Sequence, residues 1–455
     1  MTPLWRWPEL CRAAGVAESP GPDVSGIAFD SRQVVAGDLF VALAGDPGPR
    51  FNPSHRSDRD GHDFIEAALA AGAVGVLGHD GRPHGAPALQ VPDTLDGLWA
   101  LGRAARGRLR CPVVAVTGSS GKTTVKGMLA AALDAFATAG SLNNHIGVPV
   151  SLARTPRDAG AAVYEIGTNH PGEIGPLSEL VAPDVAVVVN VHPAHRENFA
   201  SMAALTEEKL SIRAGLPADG LLVVEDGVDV SALPDGVRLR RFGRGDGVDV
   251  QLLDVTAGQA RYRVAGQVLE ARIPGGGAHR AMSLAAVLCV LDALGRDPAA
   301  ACALPDSLIA PGRGRVLEVA GVTLVDDSYN ANPESMKAAL TALAERPGGR
   351  RFALLGEMLE LGSESAAFHR GLAPFAEALD GVWCVGAGMR ALDDALPEGK
   401  RLGWFEQADE ALTGSLAGQL GAGDVLLVKG SNRVFWAQGY VRSLQDSLES
   451  SKKHP

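Results

Sequence analysis

The chain has 455 residues, 46% of them hydrophobic, 21% charged and 5% aromatic, which at ~150 residues per domain is enough for about three cores. Its 42 Lys and Arg against 53 Asp and Glu leave a formal charge of −11, and this argues against a duplex nucleic-acid binder, which needs a basic face. An anionic small ligand is not excluded, because phosphate sites are built locally from backbone N–H groups and one or two cations.

In chain order, three blocks of short apolar runs with helical stretches between them read as stacked α/β units. In the first, residues 38–43, 74–78 and 88–91 read as strands and "HDFIEAALAAG" as a helix. The segment 46–60, rich in Pro, Asp, Arg and Ser, reads as an exposed insertion. In the second block, "PVVAVT" (112–117), "AAVYEI" (161–166), "VAVVVN" (185–190) and "LLVV" (221–224) are unbroken apolar runs, as expected of parallel strands buried on both faces. Residues 248–273 alternate instead and predict a β-hairpin excursion, followed by a helix over 278–294 with Gly295 past its end. The third block has strands over 323–327, 351–356, 382–386 and 424–430 and closes on a polar tail.

No run approaches the ~18 apolar residues of a membrane span. The first residues lack a signal-peptide h-region. The five cysteines are scattered without metal spacing and read as reduced thiols, so a cytoplasmic protein without membrane insertion is expected.

The string "VVAVTGSSGKTTV" (113–125) carries the first chemistry. It ends like a phosphate-binding loop, but the glycine of G-x-x-x-x-G-K-[ST] is replaced by Val116. The strand still runs through Gly118, Ser119, Ser120 and Gly121 into a helix starting near Lys122, with Val125, Met128, Leu129, Ala132, Leu133 and Phe136 on one face. Such a turn points N–H groups at an anion with the helix dipole behind them. Lys122 would then neutralise phosphate and Thr123 would ligand Mg²⁺, with Thr124 next in the loop. A metal ligand from a neighbouring strand is needed as well. Asn190 ends one such strand; Glu165 ends another and is the candidate, although alone it could be a charge at a strand tip.

His192 and His195 stand at H-x-x-H spacing, but Pro193 between them and the lack of further ligands argue against zinc; one histidine beside a Mg²⁺ site is the better functional reading. Lys209 follows Glu207 and Glu208 and by itself reads as their solvated partner. "VTLVDDSYNANPESM" ends a strand in Asp326 and Asp327 and continues in a loop dense with hydrogen-bonding groups, the place where ligands bind in open α/β sheets.

Taken in order, "TGSSGKTT", "YEIGTNHPGEI", "AHRENF" with "EEKLSI", "DDSYNANPESM" and "LLVKGSN", together with "SLNNHIGVPVSL" and the N-terminal "FDSRQVVAGDLFVAL", resemble the Mur ligases. In that family the loop is G-[ST]-x-G-K-[ST], so Val116 is ordinary. The resemblance implies an α/β protein of three domains. Residues 1–108 would be a small α/β domain binding the UDP-substrate, 109–311 a central P-loop ATPase with a parallel sheet, and 312–455 a Rossmann-like ligase domain. It implies a monomeric enzyme of peptidoglycan synthesis using ATP and Mg²⁺ to join D-Ala-D-Ala to UDP-MurNAc-tripeptide through an acyl phosphate. A sister ligase adding a single amino acid, or a non-catalytic nucleotide-binding paralogue, stands as the alternative.

Carried over by the resemblance, Lys122 cradles phosphate, and Thr123 and Glu165 hold one metal. His195 and Lys209, the latter carbamylated in relatives, serve a second metal. His279, Arg315, Asp327, Tyr329 and Asn330 would meet ATP. Ser31 and Arg32 would bind the UDP-sugar end, and Asn143, Asn144 and Asn332 the substrate cleft. The chain departs from the family in "HRAMS", which puts Arg280 and Ser283 where H-N-x-x-N has asparagines, and in Ala200, where a glycine is usual.

Overall fold

The computed structural model describes residues 3–44, 59–79, 81, 85–138, 140–193, 198–256 and 258–451. Most of the insertion at 46–60, His195 and the last four residues of the tail lie outside the described residues. Three sheets follow one another along the chain. The first is parallel, with strands β1 (Gly26–Ala28), β2 (Asp38–Val41), β3 (Gly75–Gly78) and β4 (Ala88–Gln90) in that spatial order.

The second sheet has nine strands: β5 (Val113–Thr117), β6 (Phe136–Ala137), β7 (Ala162–Glu165), β8 (Val185–Val188), β9 (Leu221–Glu225), β10 (Arg238–Gly243), β11 (Val250–Thr256), β12 (Gln259–Val264) and β13 (Gln267–Arg272). Their spatial order is β13-β12-β11-β10-β9-β8-β5-β7-β6. β5 lies between β7 and β8, parallel to both. The alternating run forms the antiparallel meander β11–β12–β13. Along β5 the residues go by turns to two cores, Val113 and Ala115 to one face and Val114 and Val116 to the other. Burial of both faces is why the run is apolar throughout.

The third sheet comprises β14 (Arg315–Val319), β15 (Val322–Asp327), β16 (Arg351–Gly356), β17 (Gly381–Val385), β18 (Arg401–Phe405) and β19 (Val425–Lys429), in the order β14-β15-β19-β16-β17-β18. Only β14 runs antiparallel, against β15. The strands β1, β10, β14 and β18 were not evident as apolar runs. β1, β14 and β18 lie at sheet edges and β10 inside the second sheet; β1 has only three residues, while β10 ("RLRRFG"), β14 ("RVLEV") and β18 ("RLGWF") carry arginines. The helix after the phosphate loop ends at Leu133, where Asp134 takes a left-handed φ of 49°; Phe136 therefore belongs to β6 and not to the helix face.

The first and second sheets share one core. The helix Thr94–Arg108 packs on the helix Gly147–Arg154, and Gly102 lets them approach: a Cβ there would lie 3.1 Å from Pro149 Cα. Side chains bind the two units further, with Trp5 Nε1 donating to the Ala153 carbonyl at 2.8 Å and Arg154 Nε to the Ile27 carbonyl at 2.7 Å. Gly102→Val is expected to destabilise this junction by ~1–3 kcal/mol through overpacking, more than the gain of under ~1 kcal/mol in helix propensity; urea unfolding of the variant beside the parent measures it.

Candidate active site

The carboxyl ends of the second and third sheets face one another across a cleft of about 710 Å³. From the second sheet, β5 passes through Gly118 to Gly121, which caps the helix Lys122–Leu133 with φ of 77°. At Gly118 (φ 153°) a Cβ would lie 3.1 Å from Val189 Cβ, so only glycine lets the loop lie this close to β8. The loop is laced to the residues after β8. Ser119 N–H donates to the Asn190 carbonyl at 3.1 Å, Ser120 N–H to Asn190 Oδ1 at 2.9 Å, and Ser119 Oγ to the His192 carbonyl at 2.8 Å. Asn190, where an acid might have stood, is thus the brace of the loop. Lys122 folds back to donate to the Gly118 carbonyl at 2.6 Å.

Glu165, at the end of β7, is 3% exposed and is the hub of the site. Its carboxylate accepts from Thr123 Oγ1 at 2.9 Å and from Asn143 Nδ2 at 2.7 Å, and pairs with Lys126 Nζ at 3.4 Å. Burial by itself would raise its pKa, but Lys126, Lys122 and Arg313 outweigh that and hold the carboxyl below its usual range. Lys126, one turn beyond Lys122 and 4% exposed, was not singled out from the sequence. The signal was its place at i+4 from Lys122 on a helix whose other buried residues are Thr123, Val125, Met128 and Leu129. Asn144 accepts from Ile146 N–H and Gly147 N–H with its side chain, and so holds the turn that leads into the next helix.

From the third sheet, β15 and β19 supply a second polar set. Asp327 pairs with Lys429 Nζ at 2.7 Å, and the same ammonium donates to the Asn330 carbonyl at 3.1 Å. Asp326 points inward instead, accepting from Gly312 N–H at 2.8 Å and from Ser328. Asn332 caps the helix Pro333–Ala344 in a reciprocal box with Ser335. The arginine expected at position 315 is exposed on β14 and does not line the cleft. Arg313 does: it donates to Ser141 Oγ at 2.8 Å and stacks over Tyr329, 3.9 Å from the ring centroid. The correction has a local cause, since Gly312 and Gly314 turn the chain with positive φ before the strand begins, and only the residue between them faces inward.

Ser119, Ser120, Gly121, Lys122, Thr124, Asn143, Asn144, Glu165, His279, Asp327, Tyr329, Asn330 and Asn332 all line this cleft, with Gly118 and Thr123 buried at its wall. Lys209 is 1% exposed, on the helix Met202–Leu210. It is not a solvated partner of its neighbours: Glu207 pairs with Arg213, and Glu208 accepts from the N–H groups of residues 172–174. Burial, then repulsion from Lys122, holds its pKa well below the usual lysine value against Glu208 and Glu173. No group of three His, Cys, Asp or Glu side chains among the described residues gathers as a metal cluster.

Ser31 and Arg32 lie elsewhere, in a second cavity of about 1080 Å³ walled by Phe29, Phe40, Phe64 and Leu95 and closed on one side by Ile146 of the second unit. Asp30 accepts from Arg32 Nε at 2.9 Å and Nη2 at 2.7 Å, so the guanidinium is aimed although it remains exposed.

Residues 116–291 match the Mur ligase middle domain, and residues 312–432 match the Mur ligase, glutamate ligase domain. The chain is 34% identical over 456 residues to the UDP-N-acetylmuramoyl-tripeptide–D-alanyl-D-alanine ligase of Escherichia coli (strain K12), covering 94% of this chain and 96% of that one. Among solved structures it superposes on MurF from Acinetobacter baumannii with a TM-score of 0.81 at 28% identity, covering 97% and 99% of the two chains. It superposes on the MurF ligase from Thermotoga maritima in complex with ADP with a TM-score of 0.77 at 31% identity, covering 93% and 98%.

Lys126→Met leaves the Glu165 carboxylate without its closest cation, and removal of one member of a buried pair costs ~3–5 kcal/mol. Lys126→Met with Glu165→Gln is expected to cost less than the sum of the single changes; denaturant unfolding of the four proteins reads the difference.

Proposed function

Since the chain belongs to the Mur ligase family, we propose that it is the ATP-dependent ligase joining D-Ala-D-Ala to UDP-MurNAc-tripeptide in peptidoglycan precursor synthesis. The observation that carries this reading is the convergence of Lys122, Lys126 and Arg313 on the buried Glu165 at the mouth of a phosphate loop, opposite the polar strand ends of the third sheet.

The reaction sets that arrangement. A substrate carboxylate attacks the γ-phosphate of ATP, forming an acyl phosphate and ADP; the dipeptide amine then adds to the acyl carbon and loses a proton, and the acyl C–O bond breaks as inorganic phosphate leaves with its electron pair. Two like charges ~4 Å apart repel by about 4 kcal/mol near a protein surface, so the attack needs cations already in place. With the Ser119 and Ser120 N–H groups engaged by Asn190, the N–H groups of Gly121 and Lys122 at the helix N-terminus receive the phosphates, and the Lys122 ammonium is drawn from the Gly118 carbonyl to the γ-phosphate. Arg313 meets the same charge from the other side of the cleft. Asp327 and Lys429 stand where the nucleotide would be gripped as the third sheet closes, and Tyr329, Asn330 and Asn332 form that wall. Closure also excludes water from the acyl phosphate.

The hydroxyl of Thr123 and the carboxylate of Glu165 are hard oxygen donors 2.9 Å apart beside the loop, a set that suits Mg²⁺. When bound, Mg²⁺ would neutralise the β- and γ-phosphate oxygens. His195 and Lys209 are assigned to a second cation. A buried, neutral Lys209 amine is the form that adds CO2, losing a proton and becoming a carbamate with the charge and oxygens of a carboxylate. Ser31 and Arg32 are assigned to the UDP-sugar end in the N-terminal cavity, with the division of labour at 1–108, 109–311 and 312–455. The reading is of a cytoplasmic monomer; no helix among the described residues is long and apolar enough to cross a membrane.

Phosphate release by the purified protein should require both UDP-MurNAc-tripeptide and D-Ala-D-Ala, and a single amino acid in place of the dipeptide should not support it. Lys122→Ala is expected to lower that release by at least ~10²-fold while binding of the UDP-substrate, followed by calorimetry, stays near the parent value. Loss of both to the same degree would refute the separation of the two cavities. Lys209→Ala should regain part of its activity with short carboxylic acids; no regain in a titration of acetate or propionate would remove the carbamate.

A further inference from the structure

Arg280 stands at a family asparagine position, yet its side chain does not reach for a base. It is 7% exposed. Nη1 donates to the carbonyls of Gly275 at 2.8 Å and Gly276 at 3.1 Å; Nη2 donates to those of Arg313 at 3.0 Å and Gly314 at 3.4 Å. The four terminal N–H groups are thereby spent on carbonyls from both sides of the junction between the second and third sheets. The surrounding glycines fit this use. Gly275, Gly276 and Gly314 all have positive φ, and a Cβ at Gly314 would collide with Nη2.

Two of the carbonyls belong to the strap that joins the sheets, and its other side is held by Asp326, through Gly312 N–H and through the Asp326 carbonyl that accepts from Gly314 N–H at 2.6 Å. Between those fixed points only the side chain of Arg313 is free to project. It projects into the cleft, onto Ser141 and the Tyr329 ring, close enough for its charge to act on Lys122 and Glu165. Ser283, at the other departed position, donates to the His279 carbonyl at 3.2 Å within its own helix.

We propose that Arg280 is a positioning residue: it clamps the interdomain strap by its carbonyls so that Arg313 is aimed at the transferring phosphate, and it takes no part in reading the base. The inference rests on the ligase reading for its substrates. A guanidinium suits the task because its planar fork meets two carbonyl pairs at once, which an ammonium cannot do.

The test is a double-mutant cycle on kcat/KM for ATP with parent, R280A, R313A and R280A/R313A, and with R280K and R280Q as variants that keep a donor at the site. R280A is expected to lose roughly tenfold, within the range of coupled neighbours, and R280K to regain part of it. In the R313A background the same change should cost less than about twofold, because the group it positions is gone. The preference for ATP over GTP should be the same in parent and R280A. A full tenfold loss in the R313A background, or an altered ATP to GTP ratio, would overturn the proposal. So would an R280A protein that matches the parent in every constant. Should the parent itself release no phosphate with the tripeptide and dipeptide, the ligase reading fails; the clamp is then judged by the same cycle on equilibrium ATP binding, where additive effects overturn it.

Discussion

A single buried carboxylate organises this molecule. Glu165 sits where water cannot solvate it, and such a charge is tolerable only if paired and hydrogen-bonded. The chain meets the requirement with a hydroxyl and an ammonium from the helix after the phosphate loop and an amide from Asn143, and with two further cations at longer range. The same concentration of positive charge that settles Glu165 is what a nucleotide's phosphates need. The electrostatic demands of the folded site and of the chemistry therefore coincide.

The site also explains why the protein is divided as it is. One sheet offers the ends of β5, β7 and β8 to the phosphates, and the next offers β15 and β19, so the reacting groups meet between rigid units and not within one. An arrangement of this kind can open to exchange ligands and close to exclude water. Its weak point is the strap. Fixing the strap from both sides, by Arg280 of the second unit and Asp326 of the third, holds the arginine it carries toward the cleft.

Much of this was legible in the residues. The central strands were evident because burial on both faces demands unbroken apolar runs, and the phosphate loop because its function is carried by consecutive N–H groups. Glu165 could be chosen only by supposing that Thr123 needed a partner, and the two do meet. Lys126 escaped because a lysine on a helix is ordinarily solvated, and only the fold shows that this one is not. Arg313 was displaced by two positions in favour of Arg315 because nothing in "PGRGRV" says where the turn ends and the strand begins. The strands β1, β10, β14 and β18 escaped for a related reason, β1 having only three residues and the other three carrying arginines in place of an apolar run.

What the sequence by itself determined is therefore whatever depends on neighbours in the chain: the loop at 118–124, the alternation of the meander and the order of the blocks. Tertiary structure alone decided which charges meet. The pairing of Lys126 with Glu165, the burial of Lys209 away from its adjacent acids, and the turning of Arg280 from the base toward the strap all join residues far apart in the chain or set one side chain against its immediate neighbours. Local spacing carries no information about such meetings, because the free energy of a charge is set by the dielectric and the partners around it, and those exist only once the sheets have packed.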